Sequence, residues 1–184
     1  MKPDGPILLI LDLDETLIHA TQEPLERNPD FVIGPYAVYR RPYLREFLTS
    51  CAACFHLAIW STATDDYVRL VVDRIVPPSV KPALAFVWGR DRCVRRTDSE
   101  RFEDYHVKDL KKVKRMGYRL ERVLIADDTP LKVHRHYGNA IYIPPFFGDP
   151  ADGVLPRLAR FLISLSDVPN VRTLEKRGWA AGVR

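Results

Sequence analysis

Nowhere is the chain apolar for long enough to cross a bilayer or to form the core of a secretory leader. Its first apolar run, Ile7 to Leu11, is five residues long and stops at Asp12, against about 20 residues for a spanning helix. The expectation is a cytoplasmic protein with no membrane partner. Cysteine is scarce, with only Cys51, Cys54 and Cys93, an odd count that predicts reduced thiols rather than a disulfide framework. Cys51-Ala52-Ala53-Cys54 has the spacing of a redox motif, but it continues the helical pattern of Leu44, Phe47 and Leu48 and reads as core. Neither Gly-x-x-x-x-Gly-Lys-Ser/Thr nor Gly-x-Gly-x-x-Gly occurs, so there is no glycine-rich nucleotide cradle. Internal repeats and low-complexity tracts are also missing, which excludes solenoids and long disorder. His19, His106, His134 and His136 lack partners at metal-ligand spacing, and His134 and His136 read as solvated structural residues.

What is present fits one compact α/β domain over 1–184. At 184 residues and 46% apolar content the chain can bury one sizeable core, and a monomer is expected because such a fold closes on itself. The net charge of +4 is too small to require a nucleic-acid partner, although basic residues gather at 90–96 and 108–122. Three apolar runs, Ile7 to Leu11, Phe55 to Trp60 and Arg122 to Ala126, each end in polar or acidic residues. That is the pattern of strands buried on both faces of a parallel sheet, whose carboxyl ends form the binding edge. Helices are predicted from Pro42 to about Cys54, from Thr64 to Val76, over Leu110 to Arg115, from about Gly153 to Leu165, and briefly around Val171 to Lys176. Further strands are expected at Ala85 to Trp88 and Ala140 to Ile143. Phe31 to Ile33 and Ala37 to Tyr39, separated by Gly34-Pro35, read as a hairpin flap. The polar, basic stretch that follows Trp88 reads as a small cap-like insertion or irregular loop, placed within 85–105. Trp60 and Tyr43 read as core aromatics rather than specificity residues.

Chemistry concentrates in Asp12-Leu13-Asp14-Glu15-Thr16, where two carboxylates follow a buried strand at a spacing that aims both into one pocket. A carboxylate can attack phosphorus and divide hydrolysis into two easier steps. Because a phosphate repels it, a divalent cation must neutralise the site, and Mg2+ suits a few carboxylate oxygens plus a substrate phosphate. A second acid must protonate the leaving oxygen and later activate water. Asp127-Asp128-Thr129-Pro130 brings further carboxylates from another strand end. Ser61 or Thr62 can donate to a phosphate, Thr16 is a further candidate for substrate binding, and a lysine can offset phosphoryl charge. By spacing alone Lys108 cannot be told from Lys111, Lys112 or Lys114.

Taken in order, the segments 11–19, 41–48, 60–63, 105–110 and 127–130 resemble the haloacid-dehalogenase superfamily. More narrowly, the chain is similar to the phosphatases that act on the C-terminal domain of RNA polymerase II, especially their small-phosphatase branch, over about residues 7 to 175. The resemblance implies a Rossmann-like parallel sheet flanked by helices. It implies Asp12 as nucleophile and metal ligand, and Asp14 as acid/base with its main-chain carbonyl on the metal. Ser61 and Lys108 would bind phosphate, Asp128 would be the third metal ligand, where relatives often carry Asn, and Asp127 would orient Lys108. The implied activity is Mg2+-dependent phosphomonoester hydrolysis through an aspartyl-phosphate, on phosphoserine or phosphothreonine in proteins. The basic stretch after Trp88 departs from the family pattern and keeps polynucleotide ends or small phosphorylated metabolites as alternative substrates. A non-catalytic phospho-binding module is a third reading.

Overall fold

The computed structural model describes residues 5–98 and 103–182. In chain order its strands and helices are β1 (Leu8–Leu11), β2 (Ile18–Thr21), β3 (Phe31–Ile33), β4 (Tyr36–Arg40), α1 (Leu44–Ala52), β5 (His56–Trp60), α2 (Asp65–Ile75), β6 (Val87–Trp88), β7 (Val94–Asp98), β8 (Glu103–Val107), α3 (Lys111–Arg115), β9 (Val123–Asp127), α4 (Pro130–Val133), β10 (Ala140–Tyr142), α5 (Val154–Ser164) and α6 (Trp179–Gly182).

Five strands make one sheet in the order β10-β9-β1-β5-β6, with every neighbouring pair parallel. The apolar runs occupy its centre because a strand covered by helices on both faces has no solvent side to alternate with. All four β1 residues are fully buried, each worth roughly 1.5–3 kcal/mol of apolar transfer. Leu9 and Leu11 face the larger core with α1, α2 and α5, while Leu8 and Ile10 face the smaller one with Leu110, Val113 and Val133. Chain order reverses at β1, since β5 pairs on one side of it and β9 on the other. The crevice outside its carboxyl end is therefore the switch point where ligands bind in such sheets.

Two smaller sheets flank that crevice. The flap is three-stranded, β2-β4-β3, and its tight turn places Gly34 at φ 55°, a left-handed conformation that glycine adopts without steric cost. The sequence pattern foresees β3 and β4 but not β2, because Ile18-His19-Ala20-Thr21 has no clear alternation. The stretch after Trp88 is not an irregular loop: β7 and β8 form an antiparallel hairpin. Cross-strand polar pairing holds it, with Arg95 paired to Asp104 and the Thr97 hydroxyl donating to Asp104 at 2.7 Å. Residues 99–102 of the expected 85–105 insertion lie outside the described residues.

Other expectations are corrected. The terminal helix at Val171 to Lys176 is a 3-10 turn over Val171–Thr173, where the Asn170 side chain accepts the Arg172 N–H at 3.0 Å. α1 begins two residues after Pro42, and Tyr43 precedes it in a left-handed conformation, φ 64°, with its ring 58% exposed rather than in the core. Trp60 is fully buried as expected, Cys51 is buried and Cys54 half-buried, and all three thiols are free. His136 is structural but not solvated: its ring meets Asp109 at 2.9 Å. Among the described residues no helix is long and apolar enough to cross a membrane.

Candidate active site

β1, β5 and β9 run parallel, so their carboxyl ends deliver Asp12, Ser61 and Asp127-Asp128 to the same edge. After β1 the chain folds onto one acceptor, the Leu13 carbonyl, which receives the N–H groups of Thr16 at 3.1 Å, Leu17 at 2.8 Å and Ile18 at 3.1 Å. Closing this loop puts Glu15 at φ 57°, a strained value for a residue with a Cβ. The loop is tied down from outside by Arg41, whose fully buried guanidinium donates to the Thr16 carbonyl at 3.0 Å and the Pro144 carbonyl at 3.0 Å. The same guanidinium binds Asp152 through two bonds, of 2.9 and 2.8 Å.

Asp12 is 1% exposed and is gripped by two lysines. Lys108 Nζ lies 2.6 Å from Asp12 Oδ1 and 2.6 Å from Asp127 Oδ2, while Lys132 Nζ lies 3.2 Å from Asp12 Oδ2 and 3.3 Å from Asp128 Oδ1. Burial alone would raise the Asp12 pKa, but the two ammonium charges outweigh it and hold the carboxyl below its usual range. Asp127 shares Lys108 yet is pushed up to about 6, by burial and by the Asp12 charge beside it. Of the two carboxylates on Lys108, Asp12 is thus the more readily ionised. The neighbouring carboxylates in turn hold Lys108 protonated against its own complete burial.

Asp14 turns away from the lysines. Its Oδ1 accepts the Tyr67 hydroxyl at 2.9 Å and its Oδ2 the Ser61 hydroxyl at 3.3 Å. Burial and the nearby Asp12 charge raise its pKa, against the Tyr67 and Ser61 bonds. It borders a cavity of about 310 Å3 lined by Glu15, Tyr36, Thr64, Tyr67 and Arg90, among others. In that cleft Glu15 is raised to about 7 by burial and then by the Asp14 and Asp128 charges. A second groove of about 220 Å3 runs past Thr62, Arg90, His106 and Lys132. Larger hollows lie elsewhere, between Tyr137 and Arg177 and between Arg40 and Pro78, but neither holds a carboxylate cluster. Gly89 lets the chain after β6 pass close to the start of α2, since a Cβ there would overlap Asp65.

The structure therefore brings together Asp12, Asp14, Ser61, Lys108, Asp127 and Asp128. Thr16 sits behind Asp12, its hydroxyl 3.5 Å from Asp12 Oδ2 and 1% exposed, a place for supporting that carboxylate rather than meeting a ligand. Thr62 lines the groove and uses its carbonyl to accept Arg90 Nε at 2.8 Å, while it is the Ser61 hydroxyl that donates to a site carboxylate, Asp14. One oxygen each of Asp12, Asp127 and Asp128 lies within 4.8 Å of the others, a hard-oxygen set that fits Mg2+. That trio includes Asp127, which the sequence reading assigned only to orienting Lys108, and leaves out the Asp14 side chain. Sequence reasoning missed Lys132 and Tyr67. Lys132 stands four residues beyond Asp128 on a short helix opened by Pro130, a spacing that brings opposite charges together. Tyr67 lies in the first turn of α2, whose start follows Ser61 closely.

Residues 7–172 match the NLI interacting factor-like phosphatase family. The chain belongs to that family. It is 31% identical over 180 residues, 94% of its length and 62% of the relative's, to the human carboxy-terminal domain RNA polymerase II polypeptide A small phosphatase 2. The chain spans between 28% and 62% of the length of three curated relatives that it matches. Its fold is shared with the fission yeast RNA polymerase II CTD phosphatase bound to beryllium fluoride, at TM-score 0.55 and 22% identity, covering 91% of this chain and 52% of that one. It is shared also with the N-terminal part of a Bacteroides fragilis protein containing a phosphatase domain complexed with Mg, at TM-score 0.52 and 15% identity, covering 89% and 41%. Family membership thus agrees with the resemblance carried by the Asp12 to His19, Lys108 and Asp127 segments.

Proposed function

We propose that this chain hydrolyses phosphomonoesters through a covalent phosphoryl group on Asp12, with phosphoserine or phosphothreonine in proteins as substrate. The observation that carries this reading is the opposite tuning of two carboxylates in one cleft, Asp12 held ionised and Asp14 raised towards protonation. Pairs tuned apart in this way mark a nucleophile and a general acid.

Asp12 is oriented by Lys108 and Thr16 and attacks phosphorus, while Asp14 gives its proton to the departing ester oxygen. Once that group leaves, the Asp14 carboxylate takes a proton from water, which attacks the phosphoryl group and restores Asp12. Ser61 and Lys108 supply donors for the phosphoryl oxygens and limit charge build-up in transfer. Asp12, Asp127 and Asp128 would hold Mg2+, which supplies charge neutralisation between nucleophile and phosphate. The magnesium in the Bacteroides fragilis fold relative supports that choice of ion. A protein substrate is supported by the human relative, named for the polymerase polypeptide, and by a cleft open beside Asp14. The protein is proposed to act as a monomer in the cytoplasm.

The test is hydrolysis of p-nitrophenyl phosphate with and without magnesium by the wild type and by Asp12→Asn, with folding checked by circular dichroism. Magnesium-dependent turnover that falls on the order of 10^4-fold or more in the folded variant is expected. Turnover that survives in Asp12→Asn would overturn the assignment.

A further inference from the structure

Lys132 and Lys108 both touch Asp12 and Asp127, but they use different oxygens. Lys108 takes Asp12 Oδ1 and Asp127 Oδ2. Lys132 Nζ lies 3.2 Å from Asp12 Oδ2, 3.8 Å from Asp127 Oδ1 and 3.3 Å from Asp128 Oδ1. Its three partners are the same three residues that offer converging oxygens for a divalent ion. Two cations cannot share so small a space without strong repulsion.

The two lysines also differ in freedom. The Lys108 side chain is fully enclosed, whereas that of Lys132 is 20% exposed and borders the open groove of Thr62, Arg90 and His106. The Lys132 backbone is fixed, since its carbonyl accepts the Lys108 N–H at 2.8 Å, so a flexible side chain hangs from a rigid anchor. The groove offers its ammonium a hydrated alternative place.

We propose that Lys132 is a tethered cation that stands among Asp12, Asp127 and Asp128 when no metal is bound, and that it must move towards the groove for a divalent ion to enter. It thereby sets the metal affinity of the site. The inference rests on the reading of these three carboxylates as the metal site. With Lys132 in place the metal-free carboxylates are largely neutralised by the protein itself, and a divalent ion gains only the difference between its own attraction and that of the displaced ammonium. Removing the ammonium while keeping a side chain of similar length leaves the carboxylates waiting for a cation.

The experiment is calorimetric titration of MgCl2 into the folded wild type, Lys132→Met, Lys132→Arg and Asp128→Asn, without substrate and at neutral pH. Lys132→Gln is a second neutral variant should Lys132→Met fail the circular-dichroism check. The expected result is that Lys132→Met binds magnesium at least about tenfold more tightly than the wild type, about 1.4 kcal/mol. Lys132→Arg, which keeps the charge, stays within about threefold of the wild type, and Asp128→Asn binds more weakly. Equal affinity in wild type and Lys132→Met, or the same tightening in Lys132→Met and Lys132→Arg, would overturn the role of Lys132 and leave the metal site standing. Magnesium bound by none of the variants would overturn both the metal site and the inference.

Discussion

Asp12 and Asp14 stand two residues apart on one loop, yet the protein around them differs. On the lysine side, Lys108 and Lys132 gather the charges of Asp12, Asp127 and Asp128 into one largely buried cluster. On the tyrosine side, Asp14 meets only hydroxyls, those of Tyr67 and Ser61, and faces a cavity that a leaving group can enter. The difference teaches that burial alone does not set a carboxyl's state. Burial raises the pKa of both groups, but the lysines beside Asp12 outweigh it, whereas the Asp12 charge beside Asp14 adds to it.

The largest loss of stability is expected on the lysine side. In Lys108→Met two buried carboxylates lose the cation they share, and removal of one partner of a buried pair costs about 3–5 kcal/mol. Urea unfolding should show that loss together with loss of turnover. A variant as stable as the wild type would mean that the cluster is neutralised from elsewhere.

A smaller effect of a different kind is expected on the tyrosine side. Tyr67→Phe removes a bond that favours the Asp14 carboxylate, so the already raised Asp14 pKa rises further. A general acid works while protonated, so activity falls as pH increases through that pKa. The alkaline limb of kcat/KM should therefore move up by roughly one pH unit, a charged hydrogen bond being worth about 1.5–3 kcal/mol. A limb that stays put or moves down would remove Asp14 from the role of acid.

A third test lies outside the cleft. Burial raises the Asp152 pKa, but the bonds from Arg41 outweigh it, so the folded value is depressed. That stability is present above the unfolded value and is lost as pH falls through the folded one. Asp152→Asn should cost about 2 kcal/mol near neutral pH, a buried-pair loss discounted for partial exposure, and much less in acid. Thermal melts across pH would reveal it, and a cost independent of pH would show that packing rather than charge ties the Asp12 loop to the segment after β10.

Legibility from the sequence followed the same division. β1, β5 and β9 were readable because strands covered on both faces must be apolar throughout, and their polar ends gave Asp12, Asp14, Ser61, Asp127 and Asp128. β7 and β8 were not, because a strand such as Val94-Arg95-Arg96-Thr97-Asp98 carries no hydrophobic period and is held by polar cross-strand pairs, such as Arg95 with Asp104, that a hydrophobic pattern does not reveal. Spacing could not separate Lys108 from Lys111, Lys112 and Lys114, and only the resemblance did. The structure gives the reason, since the Lys108 ammonium alone among these is drawn to Asp12 and Asp127. Lys132 and Tyr67 stayed hidden because each acts across a turn, Lys132 from the helix after Asp128 and Tyr67 from the helix after Ser61.

The most direct test of the central claim is acid quenching of Asp14→Asn during turnover of p-nitrophenyl phosphate, whose leaving group needs little help from an acid, followed by peptide mass spectrometry. Asp12 should carry a phosphoryl group that accumulates in this variant, because water is no longer activated to remove it. A phosphoryl group on another residue, or steady turnover with none on Asp12, would contradict the account.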